Sequence, residues 1–94
     1  MRAQDFAELT LLEREAMLVR LALTLEREAQ WASAEGDERL CLVMTSVGKA
    51  ILSVANDLAA SDVQLAEDVI MRALSLIATF HVLHPGYPVG PAMH

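Results

Sequence analysis

From Thr10 to Ala34 the apolar residues fall into two sets, both at helical spacing. Leu11, Leu18, Leu21 and Leu25 lie on one side of the cylinder, and Leu12, Val19 and Leu23 are displaced around it, leaving only a narrow polar strip through Glu13, Arg20 and Arg27. Thr10 followed by Glu13 forms a capping box, in which each side chain satisfies an exposed backbone N–H, so a first helix is expected over about 10–34. Asp5 is an alternative cap for an earlier turn. An apolar arc this wide can pack into a bundle and still offer a second surface. Trp31 and Met17 border the polar strip, Trp31 serving either to close the end of the core or to anchor an interface.

Gly36 and Asp37 supply a helix stop and the next cap. The second helix, about 38–60, sets Leu40, Met44, Val47, Ile51, Val54 and Leu58 on one face and Thr45, Lys49, Ser53, Asn56 and Asp57 on the wet one. Gly48 sits in its interior at a propensity cost of about 1 kcal/mol. Close approach of another helix near Cys41, Leu52 and Ala55 is its expected meaning, and a ligand notch the alternative. Ser61 and Asp62 make a second break, Asp62 capping a third helix over about 63–83 that Pro85 ends. Gln64, Asp68, Arg72, Ser75 and Thr79 share the polar side of that helix, while Val69, Ile70, Ala73, Leu74, Ile77 and Phe80 fill much of the rest.

Short connections make successive helices antiparallel, so the expected fold is all-α, an up-down-up three-helix bundle that pairs into a homodimer. Residues 1–84 form one helical domain and 85–94 a tail holding all three prolines. That tail is expected either to be a mobile terminus or to lay Tyr87 and Val89 across a neighbouring subunit, since proline reduces the entropy lost on docking.

Composition sharpens this picture. Of the 94 residues 54% are hydrophobic, and mean hydropathy is +0.35, an excess that one small core does not absorb. Seven Lys and Arg against 13 Asp and Glu give a net charge of -6, spread over all three segments. That is the opposite of a phosphate-backbone footprint, and it also disfavours anionic membranes. The lone Cys41, in the apolar run Leu40–Met44, is expected to be a buried thiol in a reducing cytoplasm. Acidic residues interrupt any secretion signal near the N-terminus. The stretch from Val69 to Leu83 is broken by Arg72 and falls short of the roughly 20 residues of a membrane span.

Candidate chemistry is thin. His81 and His84 could share one side of a helix end, but zinc wants three or four ligands and the sequence offers no others nearby; the helix dipole already accounts for histidine there. Glu13, Glu15, Glu26, Glu28, Glu67 and Asp68 interleave with arginines at spacings that suit surface ion pairs rather than a pair of catalytic acids. Cys41 with His81 lacks any activating feature. Ala59 to Val63 could pass for the turn of a helix-turn-helix, yet the following helix brings Gln64, Glu67, Asp68 and only Arg72. Neither catalysis, a cofactor, a metal nor direct contact with nucleic acid is expected.

The remaining function is protein-protein interaction. Leu12, Val19, Leu23 and Trp31 are the candidate anchors of one interface, Tyr87 and Val89 of a second. A structural subunit or chaperone-like dimer holding a client is an alternative. A binder of small apolar ligands, with Cys41, Met44, Met71 and Phe80 as walls, is another. In length, acidity and helical content, and in its stretches Leu9 to Leu25 and Leu40 to Met44, the chain resembles small cytoplasmic anti-activators by which bacteria sequester regulators, including LuxR-type regulators in Pseudomonas quorum sensing. The resemblance implies inhibition by binding a regulator and blocking its dimerisation or DNA contact; no site residue is carried over.

Overall fold

The computed structural model describes Phe6 and residues 8–88. Asp5, Val89 and the rest of the tail lie outside the described residues. Among the described residues there are three long helices and no strand: α1 (Leu11–Ala34), α2 (Glu38–Ser61) and α3 (Val63–Leu83).

Local chemistry fixes each boundary. Thr10 Oγ1 accepts the Glu13 N–H at 3.1 Å while Glu13 Oε1 accepts the Thr10 N–H at 2.8 Å, completing the capping box. At the other end of α1, Gly36 takes φ +85°, a left-handed geometry that suits glycine. Its N–H donates to Ser33 O at 3.0 Å and that of Asp37 to Ala32 O at 2.8 Å, a Schellman closure of the helix. Asp37 Oδ1 then caps α2 through the Leu40 N–H at 3.3 Å. Asp62 stands alone between α2 and α3. Its N–H donates to Leu58 O at 3.3 Å and its Oδ1 accepts the Leu65 N–H at 2.9 Å.

The contacts give the topology. Asn56, late in α2, donates to Glu15, early in α1, at 2.8 Å, and Ser33 reaches Glu38 at 3.1 Å, so α1 and α2 are antiparallel. His81 lies beside Glu28 and His84 beside Asp37, so α3 runs back along α1, again antiparallel to α2. The order is up-down-up.

Packing is uneven. α1 and α2 lie close along their length, with Gly48 of α2 set against Ala22 of α1, and Ala29, Ala32, Ala55 and Ala59 of the two helices are buried as well. A Cβ at Gly48 would stand 3.0 Å from Ala22 O, 3.2 Å from Glu26 Cγ and 3.5 Å from Leu25 Cβ. The close crossing expected there is present, with α1 as the crossing helix. α3 meets the hairpin less closely, burying Ala66, Ile70, Ala73 and Phe80 against Leu18, Leu25, Met44, Ile51 and Leu58 in one shared core. Phe6 joins the same core.

Three expectations are corrected by this arrangement. The apolar face of α2 is only partly core: Leu40, Met44, Ile51 and Leu58 are buried, Val47 is half-buried and Val54 is 41% exposed. The close partner of α2 is α1, which takes the Gly/Ala side, and α3 covers the aliphatic side incompletely. Cys41 is half-buried rather than enclosed, its Sγ 4.0 Å from Thr45 Oγ1. Glu28, assigned by its spacing to a solvated face, is 3% exposed because it lies under the end of α3. By length and composition α2, rather than the more apolar stretch within α3, is long and apolar enough to cross a membrane.

Gly48→Ala is expected to destabilise the fold by about 1–3 kcal/mol, because the added methyl meets a backbone oxygen that cannot rotate away. The gain in helix propensity, about 1 kcal/mol, works against this loss. Urea unfolding of the two chains measures the balance, and a variant more stable by the whole propensity gain of about 1 kcal/mol would show that the helices can separate without penalty.

Candidate interaction surface

Two regions contain the residues singled out from the sequence. The first is the flank of α1 that carries Leu12, Val19 and Leu23. Met17, Leu21 and Thr24 face α3 across a shared groove, and Ala22 and Glu26 meet α2 at Gly48. At helical spacing Leu12, Val19 and Leu23 fall nearly opposite the α3 side. Leu12 is 76% exposed, Leu23 is exposed, and Val19 is half-buried against the core.

Trp31 does not join that stripe. It is half-buried on another side of α1, where Tyr87 meets it edge-on with ring centroids 5.2 Å apart. The chain makes this return at Pro85 and Gly86, where Tyr87 N–H donates to His84 O at 3.2 Å. Tyr87 also packs edge-on against Phe80 at 5.1 Å and His81 at 5.7 Å, and His84 stacks on Phe80 at 5.2 Å. The described part of the tail is thus folded onto its own chain. Val89 lies outside the described residues.

Around these rings sit the titratable groups. His81 Nε2 is 3.2 Å from Glu28 Oε2, and His84 Nε2 is 3.0 Å from Asp37 Oδ2, with Glu35 Oε1 at 3.9 Å from Nδ1. Burial pushes the Glu28 carboxyl above its ordinary value of 4.5, against the opposing pull of His81 and Arg27. Hydrogen bonds from His84 and the Leu40 N–H hold Asp37 below its ordinary value of 3.8. Glu28 Oε1 and Trp31 Nε1 are enclosed without hydrogen-bond partners. Among the described residues no group of three or more His, Cys, Asp and Glu could hold a metal ion. His81 and His84 each pair instead with acids from the α1–α2 hairpin.

Other exposed aliphatics were not singled out from the sequence. Leu42, 68% exposed, and Val43 lie in the first turns of α2, and Val82, 78% exposed, and Leu83 in the last turn of α3. The His84–Asp37 contact places those turns at the same end of the molecule. Apolar grooves run along both flanks of α3. One, of about 240 Å³, is lined by Met17, Leu21, Ile70 and Leu74, with Arg20 and Thr24 at its edge. The other, of about 270 Å³, lies between Val47, Ile51, Val54 and Leu58 of α2 and Val69 and Arg72 of α3. Neither includes Cys41, Met44, Met71 or Phe80, the proposed walls of a ligand site. Arg72 is itself paired to Asp68 at 2.9 Å.

No protein-family model, curated protein or solved structure matches this chain.

The two shifted carboxyls act on stability with opposite signs. Glu28 holds its proton more tightly folded than unfolded, so stability falls as pH rises from 4.5 through its raised value. Asp37 does the reverse at lower pH, its contribution being lost as pH drops from 3.8 through its depressed value. Glu28→Gln keeps the shape and removes the buried charge, so its Tm relative to the parent chain is expected to rise between pH 4.5 and pH 7. A difference that stays flat over that interval in paired thermal melts would show that Glu28 is ordinarily solvated.

Proposed function

We propose that this protein is a non-enzymatic protein-protein interaction module that acts in the cytoplasm as a homodimer and sequesters a larger protein, a transcriptional regulator. The observation that carries the reading is exposed aliphatic surface on all three helices, at Leu12, Leu23, Leu42, Val43, Met71, Val82 and Leu83. Covering one such side chain fully is worth about 1.5–3 kcal/mol, so a handful can anchor a complex. The net charge of -6 favours encounter with a basic or mixed surface and disfavours DNA itself. A regulator whose own basic face binds DNA meets that requirement, in keeping with the resemblance to anti-activators. Gly48, fitted against Ala22, supports α2 as a bundle helix rather than a bilayer span.

The two grooves beside α3 give some support to the second reading, a chaperone-like dimer that holds a client segment, since each could take apolar side chains from a helix. They are smaller than the roughly 300–1,000 Å³ of ordinary ligand pockets, and this weighs against a small apolar ligand.

Titrating a LuxR-type regulator bound to its DNA site with this protein is expected to release the DNA, with no binding of the protein to DNA alone. Undisturbed regulator–DNA binding would remove this reading. Leu12→Glu with Leu23→Glu is expected to change folding stability by no more than about 0.5 kcal/mol, as at other exposed sites. The same pair is expected to weaken the release of DNA at least tenfold, and unaltered release would take these residues out of the interface.

A further inference from the structure

We propose that α3 is an exchangeable element: two copies of this chain trade their third helices, each α2 and α3 straightening into one helix through Asp62. The proposal rests on the homodimer reading and specifies how the two copies join. Asp62 is the sole residue between Ser61 and Val63, a connection shorter than most helix-to-helix links, which run to about 2–8 residues. Between Gly48 and Pro85 the sequence has neither glycine nor proline. Nothing in that span except the Asp62 turn, at φ -148° and ψ 85° and held by its bond to the Leu65 N–H, interrupts the helix.

The contacts that hold α3 are transferable. His81 to Glu28, His84 to Asp37 and Tyr87 to Trp31 each join a residue C-terminal to the hinge to one in the α1–α2 hairpin. All three can form as well between chains as within one, so closed and exchanged forms differ at the hinge and in the entropy of association. α3 is also the element with the least close packing, lying between two open grooves, whereas α1 and α2 are locked at Gly48. Opening therefore separates α3 and leaves the hairpin whole. Because α3 is antiparallel to α2 in the closed chain, two straightened helices would lie antiparallel and cross near Asp62. Ala59, Ala60 and Ser61 put no bulky side chain at that crossing.

Light scattering and small-angle X-ray scattering on the full chain, over a wide concentration range, test this with variants at the hinge and on the α1 flank. A continuous helix from Glu38 to Leu83 would be about 69 Å long at 1.5 Å per residue, against 38 Å for the longest extent of the closed chain. The expected dimer therefore has a maximum dimension of at least about 70 Å. Asp62→Ala, which removes the cap, is expected to raise the association constant several-fold, and a four-residue Gly-Ser insertion after Asp62 to lower it at least tenfold with helicity retained by circular dichroism. A dimer indifferent to both hinge changes but dissociated by Leu12→Glu with Leu23→Glu would overturn the exchange and leave the homodimer reading standing. Monomers at every concentration, in every variant, would overturn both.

Discussion

Everything in this fold is arranged around the distance at which α1 and α2 cross. Ala22 presents its backbone oxygen 3.0 Å from where a Cβ at position 48 would stand, and the glycine there spares the two helices the few tenths of an ångström by which that contact would push them apart. Close approach lets alanines serve as core, because small side chains fill the space between helices only when the backbones nearly touch. Ala22, which meets Gly48 there, is fully buried, and Ala29, Ala32, Ala55 and Ala59 of the same two helices are buried too. The larger residues Leu18, Leu25, Met44 and Ile51 can then turn toward the third helix and enclose Ile70 and Phe80 with it.

The cost of that geometry falls on α3. A helix laid on a tightly closed hairpin can fill the central furrow but not both shoulders, and the grooves beside Ile70 and Val69 are the space left over. The apolar excess of the composition is therefore not spread at random. It lies along the flanks of α3, on the α1 flank at Leu12 and Leu23, and at the end that holds Leu42 and Val82. Surface of this kind costs a monomer solubility and gives a complex its anchors.

What could be read from the sequence was what depends on neighbours in sequence. The Thr10–Glu13 box, the Gly36 stop and the Asp37 and Asp62 caps each act within a few residues, so the helix ends were legible. Gly48 was legible too, because a glycine inside an otherwise good helix calls for a steric reason. Glu28 was not: its burial depends on His81, far along the chain, and periodicity sees only one helix at a time. For the same reason Trp31 and Tyr87 could be marked as aromatic anchors but not as partners of each other. Val54 fits the apolar face of α2 by spacing, and its exposure follows from how little of that face α3 covers. The stripe of Leu12, Val19 and Leu23 was visible as a surplus of apolar positions, whereas its separation from Trp31 required the third helix and the tail in place.

Asp37 illustrates how little chemical freedom such junctions leave. Its two carboxylate oxygens have separate tasks, Oδ1 receiving the Leu40 N–H that starts α2 and Oδ2 meeting His84 Nε2 from the end of α3. Serine would cap the helix equally well but has a single oxygen to offer. Asparagine would present an amide nitrogen where the second oxygen now stands, turning an acceptor into a donor and requiring the imidazole to supply a bare nitrogen. Residues that are interchangeable as helix starts are therefore not interchangeable here, and the choice of acid over amide or hydroxyl at this one turn joins the beginning of one helix to the end of another.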